Sequence, residues 1–453
     1  MREYFDYLEG HRDEWIAMLA DLCRLPSVSA QGSAIVETAT LLQKMLEEVG
    51  FSTRLLPKSQ NGNPVVYGEL RGDSPFTLLL YNHYDVQPAE PMEIWSSLPF
   101  EPALREGKIY GRGVSDNKGN IIARLAALLS LRAVRGSLPI TVKVCIEGDE
   151  EIGSPHMEEF VHQHRELLRA DACLWEGGGV NGRGQPEVTL GVKGLLYVEI
   201  EARTADRDAH SSWATVAPNA AWRLTWALAS LKDAEERVLI DGFYDAVRPP
   251  TAEEEAAVEA MPSEEEETTR SLGLRRFLLE LAGPELRRRH LFAPTCTIDG
   301  LLSGYTGPGP KTVLPAQATA KLDFRLVPDQ EPADILAKLR RHLDAHGFQE
   351  IDLRLVAAER PARTPIDDPF VAAVGRALEA VYGQPPVLIP TMAGTGPLWP
   401  FREALRLPVA DFGIGYLDNR IHAPDENIRL EDFMRGAKAV VALLLGLRGQ
   451  AAS

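Results

Sequence analysis

The sequence predicts a two-domain α/β protein, in which a large α/β domain is interrupted by a smaller inserted α+β domain. Its 453 residues exceed what one compact core usually holds. Short apolar strands alternate with helical patterns in residues 1–191 and again in residues 361–453, as in a parallel or mixed sheet. Residues 192–360 instead contain strands with alternating apolar and polar positions, which indicate a mostly antiparallel sheet with one solvated face.

The elements of the first part are predicted from the spacing of apolar residues. Helical spacing predicts two helices in the first 50 residues, which meet at Leu25–Ser29, and Gly50 ends the second helix. Apolar and β-branched runs bounded by turn residues predict strands. The other elements expected here are strands at 65–67, 76–81, 140–146 and 172–175, and a helix over 119–135.

The inserted part and the closing part are predicted by the same reasoning. The inserted part is expected to contain strands at 196–201, 318–327 and 351–356, and helices at 217–231 and 333–345. The closing part is expected to contain a helix at 369–382, a strand at 409–414 and a helix at 431–447. Two acidic clusters, Glu253–Glu255 and Glu264–Glu267, are interpreted as a solvated helix face or loop.

The composition limits the partners and the compartment. A formal charge of −17 disfavours nucleic acid and anionic membranes, so neither is expected as a partner. No apolar stretch reaches the roughly 20 residues that span a bilayer, and the charged start at Met1–Asp6 does not resemble a signal peptide. The four cysteines stand far apart, with Cys145 and Cys173 inside apolar runs. They are expected to be buried and reduced, which favours a cytoplasmic protein.

Five polar clusters carry the candidate chemistry, and several of them directly follow predicted strands. In open α/β sheets the functional site lies at the carboxyl ends of the strands. Each cluster alone is a common turn or surface feature, but together they supply two histidines and several carboxylates, a ligand set that suits paired divalent metals. The clusters are His83–Asp85, Gly111–Gly119, Glu147–Ser154, Trp175–Gly179 and Arg420–Glu426.

The order of these motifs resembles the zinc aminoacylase, carnosine dipeptidase and glutamate carboxypeptidase family. The chain reads H-x-D-V-Q-P, then G-R-G-x-x-D-N-K-G, then E-G-x-E-E-I-G-S, then a late histidine, and the match covers nearly its whole length. The resemblance implies a zinc-peptidase-like α/β catalytic domain, an inserted lid and dimerisation domain, and a homodimer. The stretch Lys311–Pro315 is more similar to the dipeptidase branch than to the deacylase branch.

The resemblance also implies a site for two divalent metal ions. Asp116 would bridge both ions, His83 and Glu176 would complete one metal site, and Glu151 and His422 would complete the other. Zinc is the expected metal, with manganese or cobalt as alternatives. Two zinc ions carry four positive charges, which three carboxylates and one hydroxide neutralise, so burial of such a cluster is tolerable.

Catalytic roles follow from the same resemblance. Glu150 would act as the general base toward a metal-bridged water. Asp85 would orient His83, because a ligating histidine usually donates its second ring N–H to a carboxylate or carbonyl. His210 resembles the histidine that stabilises the oxyanion, often across a dimer interface. Since these groups come from both domains, domain closure around the substrate is expected.

Three further residues are expected to bind substrate. Arg325 resembles the arginine that clamps the substrate carboxylate, a task that suits its bidentate fork. Thr395 and Gly396 precede the last strand and are candidates for hydroxyl or backbone contacts to substrate.

The chain departs from the family pattern at several points. Asn82 stands where glycine often precedes the first histidine, and Ser211 follows His210 in place of the common glycine. Glu176 is an aspartate in some dipeptidases, which leaves the branch open. The Asp116–Asn117 peptide bond is often cis in the family.

The predicted reaction is hydrolysis of the amide bond of dipeptides or short peptides with a free C-terminal carboxylate. The near alternative is an N-acyl amino acid deacylase that uses the same site. A non-catalytic metal-stabilised relative is disfavoured because Glu150 and every expected ligand are present. A phosphoesterase is disfavoured because the chain lacks an evident basic phosphate pocket.

Overall fold

A computed structural model describes residues 1–58 and 62–449 of the chain. The chain divides into two compact units. The first unit contains residues 1–191, 363–390 and the described chain from 397 onward, and the second contains Val192–Ala362 together with Thr391–Gly396. Within the described residues, no helix combines the length and apolar character that a membrane-spanning segment needs.

The first unit is built on an eight-stranded mixed sheet. The four strands Leu138–Glu147, Gly72–His83, Ala172–Trp175 and Val409–Asp411 are neighbours and run parallel. Register places His83 beside Glu147, so the carboxyl ends of these strands meet at one edge of the sheet. In spatial order the strands are Ser52–Leu56, Val65–Leu70, Leu138–Glu147, Gly72–His83, Ala172–Trp175, Val409–Asp411, Glu187–Thr189 and Val387–Ile389.

Helices cover this sheet and form one large apolar core with it. The helix Lys118–Arg135 is buried along most of its length and ends at Gly136, whose φ of 86° suits glycine. The α-helices of the first unit are Arg2–Gly10, Arg12–Cys23, Ile35–Val49, Lys118–Arg135, Met157–Gln163, Arg165–Leu168, Pro369–Tyr382 and Leu430–Leu447. Its shorter strands are Ala103–Arg105, Lys108–Tyr110, Gly179–Val180, Gly415–Tyr416 and Asn427–Arg429, with Gly191–Val192 and Ala362–Arg363 where the chain passes between units.

The second unit contains a four-stranded sheet that is antiparallel throughout. Apolar side chains of Ala220–Leu231 and Pro332–Ala345 form one core with the sheet. In spatial order the strands are Thr297–Ser303, Gln317–Leu326, Gly194–Arg203 and Asp352–Glu359, and the short pair is Ala209–His210 with Val313–Leu314. The other α-helices of this unit are Ala252–Ala260, Glu265–Leu272 and Gly283–Phe292.

The predicted fold class, an α/β unit with an α+β unit inserted in it, is confirmed. Several details differ from the predictions, and one is that the strand expected at 409–414 ends at Asp411. The first 50 residues contain three helices, because His11 leaves the helical conformation and divides the first of them. The helix expected at 217–231 begins at Ala220, since the Asn219 side chain caps it. Glu254 is buried, because its carboxylate and the Thr251 hydroxyl cap each other's backbone amides.

Candidate metal centre

His83 ends its strand with the two ring nitrogens facing different partners. The side chain is 1% exposed. Nδ1 lies 3.1 Å from the Asp85 backbone oxygen and 3.4 Å from Asp85 Oδ1, while Nε2 lies 3.0 Å from Asp116 Oδ1. Asp85 can therefore hold the proton on Nδ1 and leave the Nε2 lone pair available to a metal.

Asp85 also fixes the turn that carries two glutamates. Its carboxylate oxygens accept hydrogen bonds from the backbone amides of Glu150, at 3.2 Å, and Glu151, at 3.0 Å. These two glutamates begin the 3₁₀ turn Glu150–Ile152, which is separated by two residues from the strand that ends at Glu147. The Asp85 carboxylate therefore contacts both the His83 ring and the backbone of the two glutamates, and it fixes their relative positions.

Asp116 lies at the centre of the cluster. Its Oδ1 faces His83, and its Oδ2 lies 3.1 Å from Nε2 of His422. The Asp116–Asn117 peptide bond is cis, as the resemblance implied. One carboxylate with a histidine at each oxygen is the arrangement expected of a bridging ligand.

The remaining two carboxylates lie on the same cluster. Glu151 Oε2 lies 3.0 Å from His422 Nε2 and accepts a hydrogen bond of 2.9 Å from Gln87. Glu176 Oε2 lies 3.9 Å from His83 Nε2, and among the described residues this buried oxygen has no hydrogen-bond partner. Ligand atoms of His83, Asp116 and Glu151 all lie within 4.8 Å of one another, close enough to share one ion.

The electrostatics of the cluster fit bound cations. Although burial lowers the pKa of His83, hydrogen bonds to Asp116 and Asp85 raise it well above its usual range. Hydrogen bonds to Asp116 and Glu151 raise the pKa of His422 to about 10. Burial and the Glu150 charge raise the pKa of Glu176 well above its usual range. Carboxylates crowded at these distances favour a bound cation, and the buried Glu176 oxygen without a hydrogen-bond partner fits a ligand atom of such an ion.

Glu150 precedes Glu151 in the chain, and its carboxyl has a raised pKa. Burial raises the pKa of its carboxyl to about 8, and the charges of Asp116 and Glu151 add to that shift while His83 opposes it. A carboxyl with a pKa near the operating pH is suited to accept and return a proton.

A buried amide network joins the strand ends beneath the cluster. Asn82 Nδ2 donates to the side-chain oxygen of Asn117 and, at 3.3 Å, to the backbone oxygen of Glu176. Asn82 Oδ1 accepts from Arg124 at 2.6 Å, and Arg124 also donates to the backbone oxygens of Tyr81 and Trp175. The departure at Asn82 therefore supplies contacts that glycine cannot make.

The predicted substrate and oxyanion residues lie in the second unit. Arg325 Nη1 donates to Thr395 Oγ1 at 2.8 Å, and its Nε pairs with Asp323 at 3.0 Å. Arg325 and Asp323 border a cavity of about 620 Å³. His210 is exposed, with its ring nitrogens at Ser212 and Thr312, and Gly396 follows Thr395 in the segment Thr391–Gly396.

Comparison with known proteins identifies the family. A model described as peptidase family M20/M25/M40 matches residues 79–446. The chain belongs to this family. It is similar to the Beta-Ala-His dipeptidase of Rattus norvegicus, at 27% identity over 99% of this chain and 95% of that one. It is also similar to the Cys-Gly metallodipeptidase DUG1 of Candida albicans, at 27% identity over 97% of this chain and 96% of the relative.

The M20 fold is also found among solved structures. The M20 family metallo-carboxypeptidase Sso-CP2 from Sulfolobus solfataricus superimposes with a TM-score of 0.90. The two are 38% identical, and the match covers 96% of this chain and 99% of that one. The M20 protein described here is therefore a hydrolase, as predicted, while the roles of its individual side chains stay predictions.

Sequence reasoning assigned no role to several residues that border the cluster. Asn82 was noted only as a departure, and Gln87 and Asn117 lie inside the recognised motifs. Arg124 is buried among mostly apolar residues of its helix, and a charged residue at such a position was the signal that the sequence offered. The four cysteines are free and buried, as expected for Cys145 and Cys173.

Proposed function

We propose that this M20 protein uses two divalent metal ions to hydrolyse the amide bond of dipeptides or short peptides with a free C-terminal carboxylate. The observation that carries the proposal is the placement of Asp116, whose two carboxylate oxygens face His83 and His422 at 3.0 and 3.1 Å. Zinc is the proposed metal, because nitrogen and oxygen ligands suit it, and manganese and cobalt remain alternatives.

Five side chains would hold the two ions. His83 and Glu176 would serve one site, Glu151 and His422 the other, and Asp116 both. Glu151 lies 3.0 Å from His422 and Glu176 lies 3.9 Å from His83, which favours this division. The three ligand atoms of His83, Asp116 and Glu151 that lie within 4.8 Å of one another would then belong to adjacent sites joined by Asp116. Bound there, the ions would polarise the scissile carbonyl and lower the pKa of the attacking water.

Glu150 is proposed to move the proton. Its carboxylate takes a proton from the attacking water and delivers it to the leaving amine, so the same group serves as base and then as acid. Its place directly before Glu151, a proposed ligand, favours this role, and the hydrogen bond from its backbone amide to Asp85 holds the turn in place. Asp85 is proposed to orient His83 at the same time.

Arg325 is proposed to bind the substrate carboxylate. Its guanidinium borders the cavity of about 620 Å³ and is oriented by Asp323 and Thr395. A carboxylate can bind the fork through charge-assisted hydrogen bonds. Thr395 and Gly396 would add hydroxyl and backbone contacts. The names of the rat and Candida relatives favour dipeptides over N-acyl amino acids as substrates.

A homodimer through the second unit is part of the proposal. Trp222 and Trp226 project from the helix Ala220–Leu231 and are 57% and 51% exposed. Leu301 and Leu302, on the edge strand Thr297–Ser303, are 60% and 63% exposed. Large apolar side chains at this exposure favour a protein interface. His210 would then stabilise the oxyanion in the partner's site.

The reaction is tested with wild type and Glu150→Gln. Metal content is measured by mass spectrometry, and hydrolysis is measured on dipeptides, N-acetyl amino acids and C-terminally amidated dipeptides. We expect about two ions per chain in both proteins and dipeptide hydrolysis at least about 100-fold faster in wild type. Full activity in Glu150→Gln, or no metal in wild type, contradicts the proposal. Faster turnover of N-acetyl amino acids would indicate a deacylase.

The dimer is tested by mixing two inactive variants. Glu150→Gln has an intact His210, and His210→Ala has an intact Glu150. If His210 acts in the partner's site, mixed dimers regain one working site, and activity returns after subunits exchange. No recovery, with sedimentation showing that mixed dimers form, would mean that His210 acts within its own chain. Leu301→Glu should shift the sedimentation coefficient toward the monomer.

A further inference from the structure

Glu426 is a buried carboxylate that joins two ligand-bearing loops. It lies four residues after His422 and is fully buried. Its Oε2 accepts hydrogen bonds from Arg112 Nη1 at 2.7 Å and from the Gly113 amide at 3.1 Å. Its Oε1 accepts from the amides of Ser115, at 2.9 Å, and Asp116, at 3.1 Å. Both oxygens are thus bound to the loop that carries Asp116.

The charge of Glu426 is compensated within the same loop. Arg112 is 1% exposed and also donates to the backbone oxygen of Pro88 at 3.1 Å. A buried carboxylate is tolerated only when it is paired and fully hydrogen-bonded, and these four donors meet that requirement. Because the donors approach both oxygens, the carboxylate has one favourable orientation.

Further contacts hold the two loops together around Glu426. The Gly111 amide donates to the Glu426 backbone oxygen at 2.9 Å, and Asn419 donates to the Ser115 hydroxyl at 3.2 Å. The strand Asn427–Arg429 follows directly and pairs with Lys108–Tyr110, which precedes the Asp116 loop. The chain before Asp116 and the chain after His422 therefore form one connected piece of structure.

We propose that Glu426 is a positioning residue that sets the placement of Asp116 relative to His422 and thereby the affinity for metal. It fixes the Asp116 backbone amide directly and restrains His422 through the chain. His422 adopts a φ of 61°, which a non-glycine residue holds only when its surroundings impose it. The inference rests on the proposed function, in which Asp116 and His422 are ligands.

The test substitutes Glu426→Gln. This side chain has nearly the same size, but its NH2 group can only donate, so one of the two pairs of donors around Glu426 faces another donor in either orientation. Metal affinity is measured by competition with a chromophoric chelator, and cobalt-loaded protein is compared by its visible spectrum. We expect metal affinity to fall about 10- to 100-fold with an altered cobalt spectrum, and kcat to recover at high metal concentration.

Asp432→Asn is the matched control. Asp432 is a buried carboxylate, 1% exposed, that pairs with Arg429 on the helix Leu430–Leu447. Its substitution should lower the melting temperature but leave metal affinity and the cobalt spectrum unchanged. If Glu426→Gln changes metal affinity no more than Asp432→Asn does, Glu426 only stabilises the fold, and the inference is wrong.

A second variant covers the case in which Glu426→Gln does not fold. Glu426→Asp retains the charge but withdraws the carboxylate by one methylene, and the same loss of metal affinity is expected. Wild-type affinity in Glu426→Asp would overturn the inference. Failure of the proposed function is seen separately, as wild type that binds no metal or Glu150→Gln that stays active.

Discussion

The Nε2 atom of His422 lies 3.1 Å from Oδ2 of Asp116, although 306 positions separate the two residues in the chain. Oδ1 of the same carboxylate lies 3.0 Å from His83. The histidines thus take opposite oxygens of one aspartate. If Asp116 bridges two ions, its substitution should remove both ions, whereas substitution of one histidine should remove only one.

Metal stoichiometry should distinguish His422→Ala from Asp116→Ala. We expect His422→Ala to retain about one ion per chain, because His83, Asp116 and Glu176 remain for the other site. Asp116→Ala should retain none, since both sites lose a ligand. The ions are counted by mass spectrometry after desalting, and two tightly bound ions in His422→Ala would contradict the assignment.

Removal of metal should lower thermal stability. Without cations the carboxylates of Asp116, Glu151 and Glu176 repel one another, and ligand binding to the native state stabilises it. We expect a chelator to lower the Tm by roughly 5 to 10 °C, measured by calorimetry. Glu150→Gln keeps every proposed ligand and should show a similar decrease. An unchanged Tm in chelated protein that is confirmed to be metal-free would contradict this expectation.

Arg325→Lys should weaken substrate binding. Lysine keeps the charge but loses the planar fork that binds a carboxylate through two hydrogen bonds. We expect kcat/KM for dipeptides to fall about 10- to 100-fold, mostly through KM, as expected for loss of a charge-assisted hydrogen bond. Thr395→Val removes the hydrogen bond that Arg325 donates but leaves the guanidinium in place, and it should cost less. Equal losses on a C-terminally amidated dipeptide would mean that Arg325 does not read the carboxylate.

Asn82→Gly tests the network beneath the metal cluster. Glycine removes one acceptor of Arg124 and one donor to the backbone oxygen of Glu176, so each buried group loses one of its hydrogen-bond partners. We expect the free energy of unfolding to fall by about 1–3 kcal/mol, measured by denaturant titration. Asn82→Asp has the same size but offers only acceptors, and it should also be less stable than wild type. Wild-type stability in Asn82→Gly would show that the network is not needed.

Lys193 should make the free energy of unfolding depend on pH in the alkaline range. Burial lowers the pKa of Lys193 to about 8 from 10.5, with the Arg325 charge adding to the shift, although its Nζ donates to the backbone oxygens of His290 and Ala293. Between these values the unfolded chain binds the proton more strongly than the folded protein does. Stability from this group is therefore lowest below pH 8 and rises toward pH 10.5.

The measurement compares wild type with Lys193→Met, which has no titrating group at that position. As the pH rises from about 8 to about 10.5, the unfolding free energy of wild type should increase relative to that of Lys193→Met. A difference that is constant with pH would contradict the lowered pKa of Lys193. Circular dichroism in denaturant series at several pH values provides the data.

Much of the fold follows from local pattern. The helix expected at 369–382 is found at Pro369–Tyr382, and the strand expected at 140–146 lies within Leu138–Glu147. Periodicity reports such elements because the apolar face of each one must be buried. Periodicity did not predict the burial of Glu254, because the sequence pattern does not distinguish a carboxylate that caps a helix from a solvated one.

The sequence by itself determined the elements, the motif order and the residue types that a metal site needs, because spacing and side-chain chemistry are local properties. Only the tertiary structure decided which atoms meet. Strand register places His83 beside Glu147, and the loop held by Glu426 brings Asp116 to His422. Asn82 and Arg124 acquire partners in the same way. Such contacts depend on sheet pairing and loop geometry between distant segments, which local pattern does not specify.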